Sequence, residues 1–168
     1  MNFNIQSSEQ ADQNASESVG PSPDLPVKIL LTMGAQMPSY ALAHCSGVDL
    51  CAAWDEPVVL PVGQRLLVPT GLLMAIPSGY EAQIRSRSGM ALNHGVVVLN
   101  SPGTIDAGYR GEIKVLLINL GQEAFVIEPR ARIAQCVFAP IARVNFQVVQ
   151  DLDASERNQG GFGSTGMH

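Results

Sequence analysis

Charge is scarce in this chain: only 15% of its 168 residues are Asp, Glu, Lys or Arg, and the net charge is −5. Two lysines, Lys28 and Lys114, stand beside eight arginines. No basic stripe for duplex DNA or RNA is present, so a nucleic-acid partner is not expected. The arginines still suit a small anion, because a guanidinium offers phosphate oxygens a planar fork. With 46% hydrophobic residues, such a low charge content points to surface hidden in an oligomer.

Cysteine is scarce as well. Cys45, Cys51 and Cys136 form no CxxC pair and no Cys/His cluster. They read as reduced thiols, which argues against a disulfide framework and a zinc site. No apolar run reaches the roughly 18 residues of a membrane span. No basic residue precedes Lys28, so a signal or transit peptide is not expected. The expectation is a cytoplasmic protein with no membrane partner.

Three regions follow from composition. Residues 1–26 are rich in Ser, Gln, Asn, Glu and Asp and offer little to a core, so disorder is expected. Residues 27–150 form the folded body. Residues 151–168 are polar, then glycine-rich, and are expected to be a flexible lid. The body is punctuated by Pro61-Val62-Gly63, Pro69-Thr70-Gly71, Pro77-Ser78-Gly79, Leu120-Gly121-Gln122 and Glu128-Pro129-Arg130. Between these turn signals lie short Val/Ile/Leu segments: 66–68, 72–76, 96–99, 113–118, 124–127 and 133–138. Short strands with Pro/Gly turns predict an all-β sandwich or barrel. Glu81 to Arg85 alternates clearly. Val115 to Ile118 does not alternate and reads as buried on both faces. One short helix is expected near Ser88 to Asn93.

Five segments carry candidate chemistry. Ser86-Arg87-Ser88-Gly89 combines a fork, a hydroxyl and an open backbone N–H, and a helix starting there would add its first amides as an anion cradle. The bland alternative is a solvated turn. Gly103-Thr104-Ile105-Asp106-Ala107-Gly108-Tyr109-Arg110-Gly111-Glu112 reads as a β-hairpin with an acid and an aromatic ring in one turn. Asp49 is an acid in an apolar strand and therefore needs a partner, either structural or a hydrated metal. Arg132-Ile133-Ala134-Gln135 places Arg and Gln at the start of a strand, where Arg132 could serve simply as an edge salt bridge. Arg157-Asn158-Gln159-Gly160-Gly161-Phe162-Gly163-Ser164-Thr165-Gly166 sets one ring among glycines. Its backbone could fold onto a ligand and its ring could stack on a base.

In this order the five segments resemble the motifs of the trimeric dUTPase family, from about Val27 to the C-terminus. The resemblance implies a distorted jelly-roll subunit in a homotrimer, with the C-terminal tail exchanged between subunits. It implies hydrolysis of dUTP to dUMP and pyrophosphate with Mg²⁺, which lowers dUTP and supplies dUMP for dTTP synthesis. Asp106 falls on the position of the water-activating base, and Gln135 on a residue near the α-phosphate or the attacking water. Asp49 matches the acid that holds the metal through water. Arg87, Ser88 and Gly89 match the phosphate turn, and Arg157, Ser164 and Thr165 match contacts from the tail. Asn100, Thr104, Ile105, Asp106 and Lys114 match the uracil pocket. Tyr109 matches the ring against deoxyribose, and Phe162, with Gly163 beside it, the ring that covers uracil. The chain departs from the usual pattern at Ser46, Gly108 and Asn158. A dCTP deaminase shares the fold, but the full Gly-Phe-Gly tail argues against that alternative.

Overall fold

The computed structural model describes residues 24–32, 34–155 and 158–159. Ten strands and one helix follow in the order β1 Lys28–Leu31, β2 Val48–Cys51, β3 Val58–Leu60, β4 Arg65–Ala75, β5 Tyr80–Arg85, α1 Ser88–His94, β6 Val96–Val98, β7 Gly103–Asp106, β8 Ile113–Asn119, β9 Phe125–Ile127 and β10 Arg132–Pro140. They build two four-stranded sheets, ordered β1-β4-β8-β6 and β2-β10-β5-β7, and a small ribbon β3-β9. Every strand pair is antiparallel. This is the expected all-β, jelly-roll-like architecture with one short helix. No helix among the described residues is long and apolar enough to cross a membrane.

The core is aliphatic. Leu50, Leu60, Leu72, Ile113, Leu117, Ile127 and Ile133 are essentially sealed. Two polar side chains share this interior, and both are fully bonded. The Asn119 amide donates to the carbonyls of Leu60 (3.0 Å) and Glu123 (2.8 Å), and its oxygen accepts from Gly121 N–H (2.9 Å). It ties the ribbon and the turn after β8 to the main sheet. Asn119→Ala removes three bonds and strands buried backbone groups, which cost about 1–3 kcal/mol each when unmade. The expected result is a loss of roughly 3 kcal/mol in denaturant unfolding.

Three expectations need correction. The signal Pro69-Thr70-Gly71 does not turn the chain, and β4 runs straight through it. The pairing of β4 with β8 shifts register between Pro69 and Leu72. The extra residues bulge out: Gly71 takes φ +67°, its N–H donates to Glu112 Oε1 (2.9 Å), and the Thr70 hydroxyl donates to the Ile113 carbonyl. Residues 103–112 are not a hairpin. β7 pairs with β5 and β8 with β4, so this segment crosses from one sheet to the other. Finally, β8 is not sealed on both sides. Val115 and Leu117 are buried while Leu116 and Ile118 are half-exposed, because no layer among the described residues covers the outer face of their sheet.

Candidate active site

The phosphate-type residues converge on one cleft. Ala41, Cys45, Ser46, Gly47, Asp49, Arg87, Ser88, Gly89 and Gln135 line an opening of about 350 Å³. Its back wall is the β2-β10 pair, in which Gln135 lies directly opposite Asp49. Its floor is the entry to α1, where Arg87 is the N-cap and makes no side-chain cap bond. Gln135 Nε2 donates to the Ser86 carbonyl (3.0 Å), and Ser86 Oγ accepts from Val98 N–H (2.9 Å). These bonds fix the turn before the helix. Gly47 leaves room for this wall, since a Cβ there would lie 3.0 Å from Gln135 Oε1 and 3.1 Å from Val137 and would push these side chains aside.

Asp49 has structural partners. Arg87 Nε stands 3.3 Å from its Oδ1, and Arg132 Nη1 stands 3.2 Å from its Oδ2. No group of three or more His, Cys, Asp or Glu that could hold a metal occurs among the described residues. Asp49 is the one carboxylate lining the cleft. That donor set fits a magnesium ion that arrives on a substrate's phosphates and keeps its waters; it does not fit a dedicated protein cage. Burial, with the Asp49 charge as a smaller cause, pushes the Cys51 thiol pKa up, and burial pushes that of Cys136 up to about 12.

The other group lies on the crossover. Gly103 is buried, Thr104 and Asp106 are exposed, and Ile105 is half-buried. Asn100 packs over the start of β7, its amide nitrogen 3.2 Å from where a Gly103 Cβ would sit. Tyr109 N–H donates to the Asp106 carbonyl (3.0 Å), and Tyr109 Oη donates to the Glu112 carbonyl (3.0 Å). The ring, 44% exposed, folds over Gly111, where any side chain would run into it. Glu112 also meets Lys114 Nζ at 3.4 Å, which holds Lys114 at the mouth of β8. Asp106 is thus presented outward on a loop pinned at both ends.

The two groups do not meet within one chain. Asp106 pairs with Glu81 of β5, whereas Gln135 pairs with Arg85. Four residues along β5 and two strand spacings across put their backbones roughly 16 Å apart. All five tail candidates, Arg157, Phe162, Gly163, Ser164 and Thr165, lie outside the described residues. Asn158 does lie within them. It adopts φ +42°, and its side-chain oxygen accepts from Ser155 N–H (3.1 Å), the left-handed conformation that asparagine tolerates.

The motifs left two sets of residues unread. Gln83 Nε2 donates to Glu81 Oε1 and Arg85 Nε to Gln83 Oε1 (3.1 Å), a polar ladder on the outer face of β5. The period-2 spacing of these three residues was the available signal. Cys45 and Ala41 line the cleft from a loop, and no pattern marks them, whereas Ser46 opens the first motif.

Comparison with known proteins gives the family. Residues 34–166 match the dUTPase family profile. A deoxyuridine 5'-triphosphate nucleotidohydrolase of Syntrophotalea carbinolica is 53% identical over 133 residues, covering 79% of this chain and 90% of that protein. One of Rickettsia felis is 50% identical over 141 residues, covering 84% and 95%. The solved dUTPase of Staphylococcus bacteriophage 80alpha with dUpNHpp superposes with a TM-score of 0.76 at 29% identity, covering 86% of this chain and 99% of that one. The chain belongs to the dUTPase family.

Proposed function

We propose that this chain hydrolyses dUTP to dUMP and pyrophosphate, at sites where Asp106 of one copy faces the Arg87-Gln135 cleft of another within a homotrimer. The observation that carries the shared site is the separation of Asp106 from Gln135: a water held by Asp106 cannot reach a phosphate bound in the cleft of the same chain. Uncovered apolar surface supports the assembly. Leu67 is 53% exposed beside the half-exposed Leu116, Ile118 and Val97, and Phe146 and Val148 of the chain after β10 are almost fully exposed. Contiguous apolar surface of this kind marks a protein interface.

In this reading Arg87, Ser88 and Gly89 hold the phosphate chain, and Gln135 steadies the α-phosphate or the attacking water. Asp106 accepts one proton from that water as its oxygen bonds to the α-phosphorus. The bond from that phosphorus to the bridging oxygen breaks, and pyrophosphate leaves. An ordinary carboxylate is a weak base, so positioning and charge supply most of the acceleration. Asp49 would hold a magnesium ion through water, and the ion would supply charge neutralisation on the phosphates. Asn100, the backbone of Thr104 to Asp106 and the region of Lys114 read uracil. Cytosine would cover these polar groups and leave them unpaired, and is rejected strongly for that reason. Tyr109 packs on deoxyribose.

The tail, with Arg157 on the γ-phosphate, Ser164 and Thr165 beside it, and Phe162 over the base, closes the site. The enzyme works in the cytoplasm, where its three free cysteines stay reduced and where the product dUMP feeds dTTP synthesis.

Pyrophosphate release across the deoxynucleoside triphosphates and UTP tests this reading. Release should be largest from dUTP and should collapse when a chelator removes the divalent cation. Equal release from dCTP or dTTP would overturn it, and ammonia release from dCTP would point to a deaminase. Phe162→Ala should weaken dUpNHpp binding by about 1 kcal/mol or slightly more in calorimetry, the scale of base stacking on one ring.

A further inference from the structure

A bulge in β10 brings a further residue to the phosphate cleft. Across β2, Arg132 pairs with Cys51 and Ala134 with Leu50, and the register slips between them. Ile133 and Ala134 are consequently both buried. Gln135 lies opposite Asp49 on the outer face, so in an unbulged strand Ala134 would point in, residue 133 out and Arg132 back into the core. The extra residue turns Arg132 outward, and bulges commonly re-aim a side chain in this way.

There Arg132 holds Arg87 twice. Its guanidinium takes one oxygen of Asp49 (3.2 Å) while Arg87 Nε takes the other (3.3 Å). Its own carbonyl accepts from Arg87 Nη1 (2.9 Å). With Nε and Nη1 committed, Nη2 is the nitrogen this clamp leaves over for an anion. The three side chains carry one net positive charge, which favours a polyanion. Arg132 is 55% exposed and Asp49 20%. A pair this open adds little to folding, so its effect is on orientation.

We propose that Arg132 is a positioning residue of the phosphate cleft: acting through Asp49 and its own carbonyl, it fixes the Arg87 guanidinium for the substrate's triphosphate. This rests on the dUTPase reading above. The test is a double-mutant cycle of Arg87→Gln and Arg132→Gln in the full-length chain, with Arg132→Lys as the conservative variant. Its readouts are calorimetric binding of dUpNHpp and steady-state kinetics with dUTP at saturating magnesium.

Arg132→Gln should raise Kd and KM about tenfold and leave kcat within about twofold, because an interaction present in ground and transition states alike moves KM alone. Arg132→Lys should recover part of the loss by returning a charge to Asp49. The double variant should bind no worse than Arg87→Gln alone, since Arg132 acts through Arg87. Additive losses would overturn the clamp, as would an Arg132→Gln protein with unchanged Kd and KM but a lowered melting temperature. A wild-type chain that releases no pyrophosphate from dUTP defeats the underlying reading. An active wild type with additive losses defeats the clamp alone.

Discussion

Asp106→Asn should turn over dUTP at least ~10²-fold more slowly than the wild type while still binding dUpNHpp, the scale expected when a positioned proton acceptor is removed. Asparagine keeps the size and the outward placement of the side chain at the end of β7, which is exposed there. It also keeps the backbone bond from Tyr109 N–H to the residue 106 carbonyl. What it loses is the charge and the ability to take a proton from water. The loss should therefore fall on kcat, with the melting temperature unchanged. A variant that turns over dUTP at the wild-type rate would remove Asp106 from its role.

Local chemistry was legible wherever it depended on neighbours in sequence. The alternation Glu81 to Arg85 became β5, with Ala82 and Ile84 buried and Arg85 exposed. The short helix expected near Ser88 to Asn93 forms as α1. Arg87, Ser88, Gly89, Asp49 and Gln135, scattered over nearly ninety positions, line one cleft. What failed depended on partners far along the chain. Pro69-Thr70-Gly71 carries every local mark of a turn, yet β8 and Glu112 hold it as a bulge in a continuous strand. The glycines of residues 103–112 suggested a hairpin, but which sheet each strand joins is decided by the register of β5 and β4. The apolar run in β8 suggested burial on both faces. Its second face has no cover among the described residues, so alternation was lost without burial on both sides. Arg132 looked like an edge salt bridge. It does make one, with Asp49, and its place beside Arg87 follows from a bulge that no local pattern announces.

The shared site makes the second large prediction. Asp106→Asn and Arg87→Gln should each be nearly inactive when expressed alone. Co-expressed, they should regain activity without any new contact. In the proposed closed ring each site would take Asp106 from one copy and Arg87 from its neighbour. Random assembly of the two variants as trimers leaves about a quarter of the sites with both residues intact. The pair therefore tests the account most directly: differently tagged variants are co-expressed, the mixed trimers are purified through both tags, and pyrophosphate release from dUTP is measured. The account predicts that activity returns to about a third of the wild-type rate per mixed trimer, one intact site of three. Mixed trimers as inactive as either parent would place Asp106 and Arg87 in the same site of the same chain and contradict it.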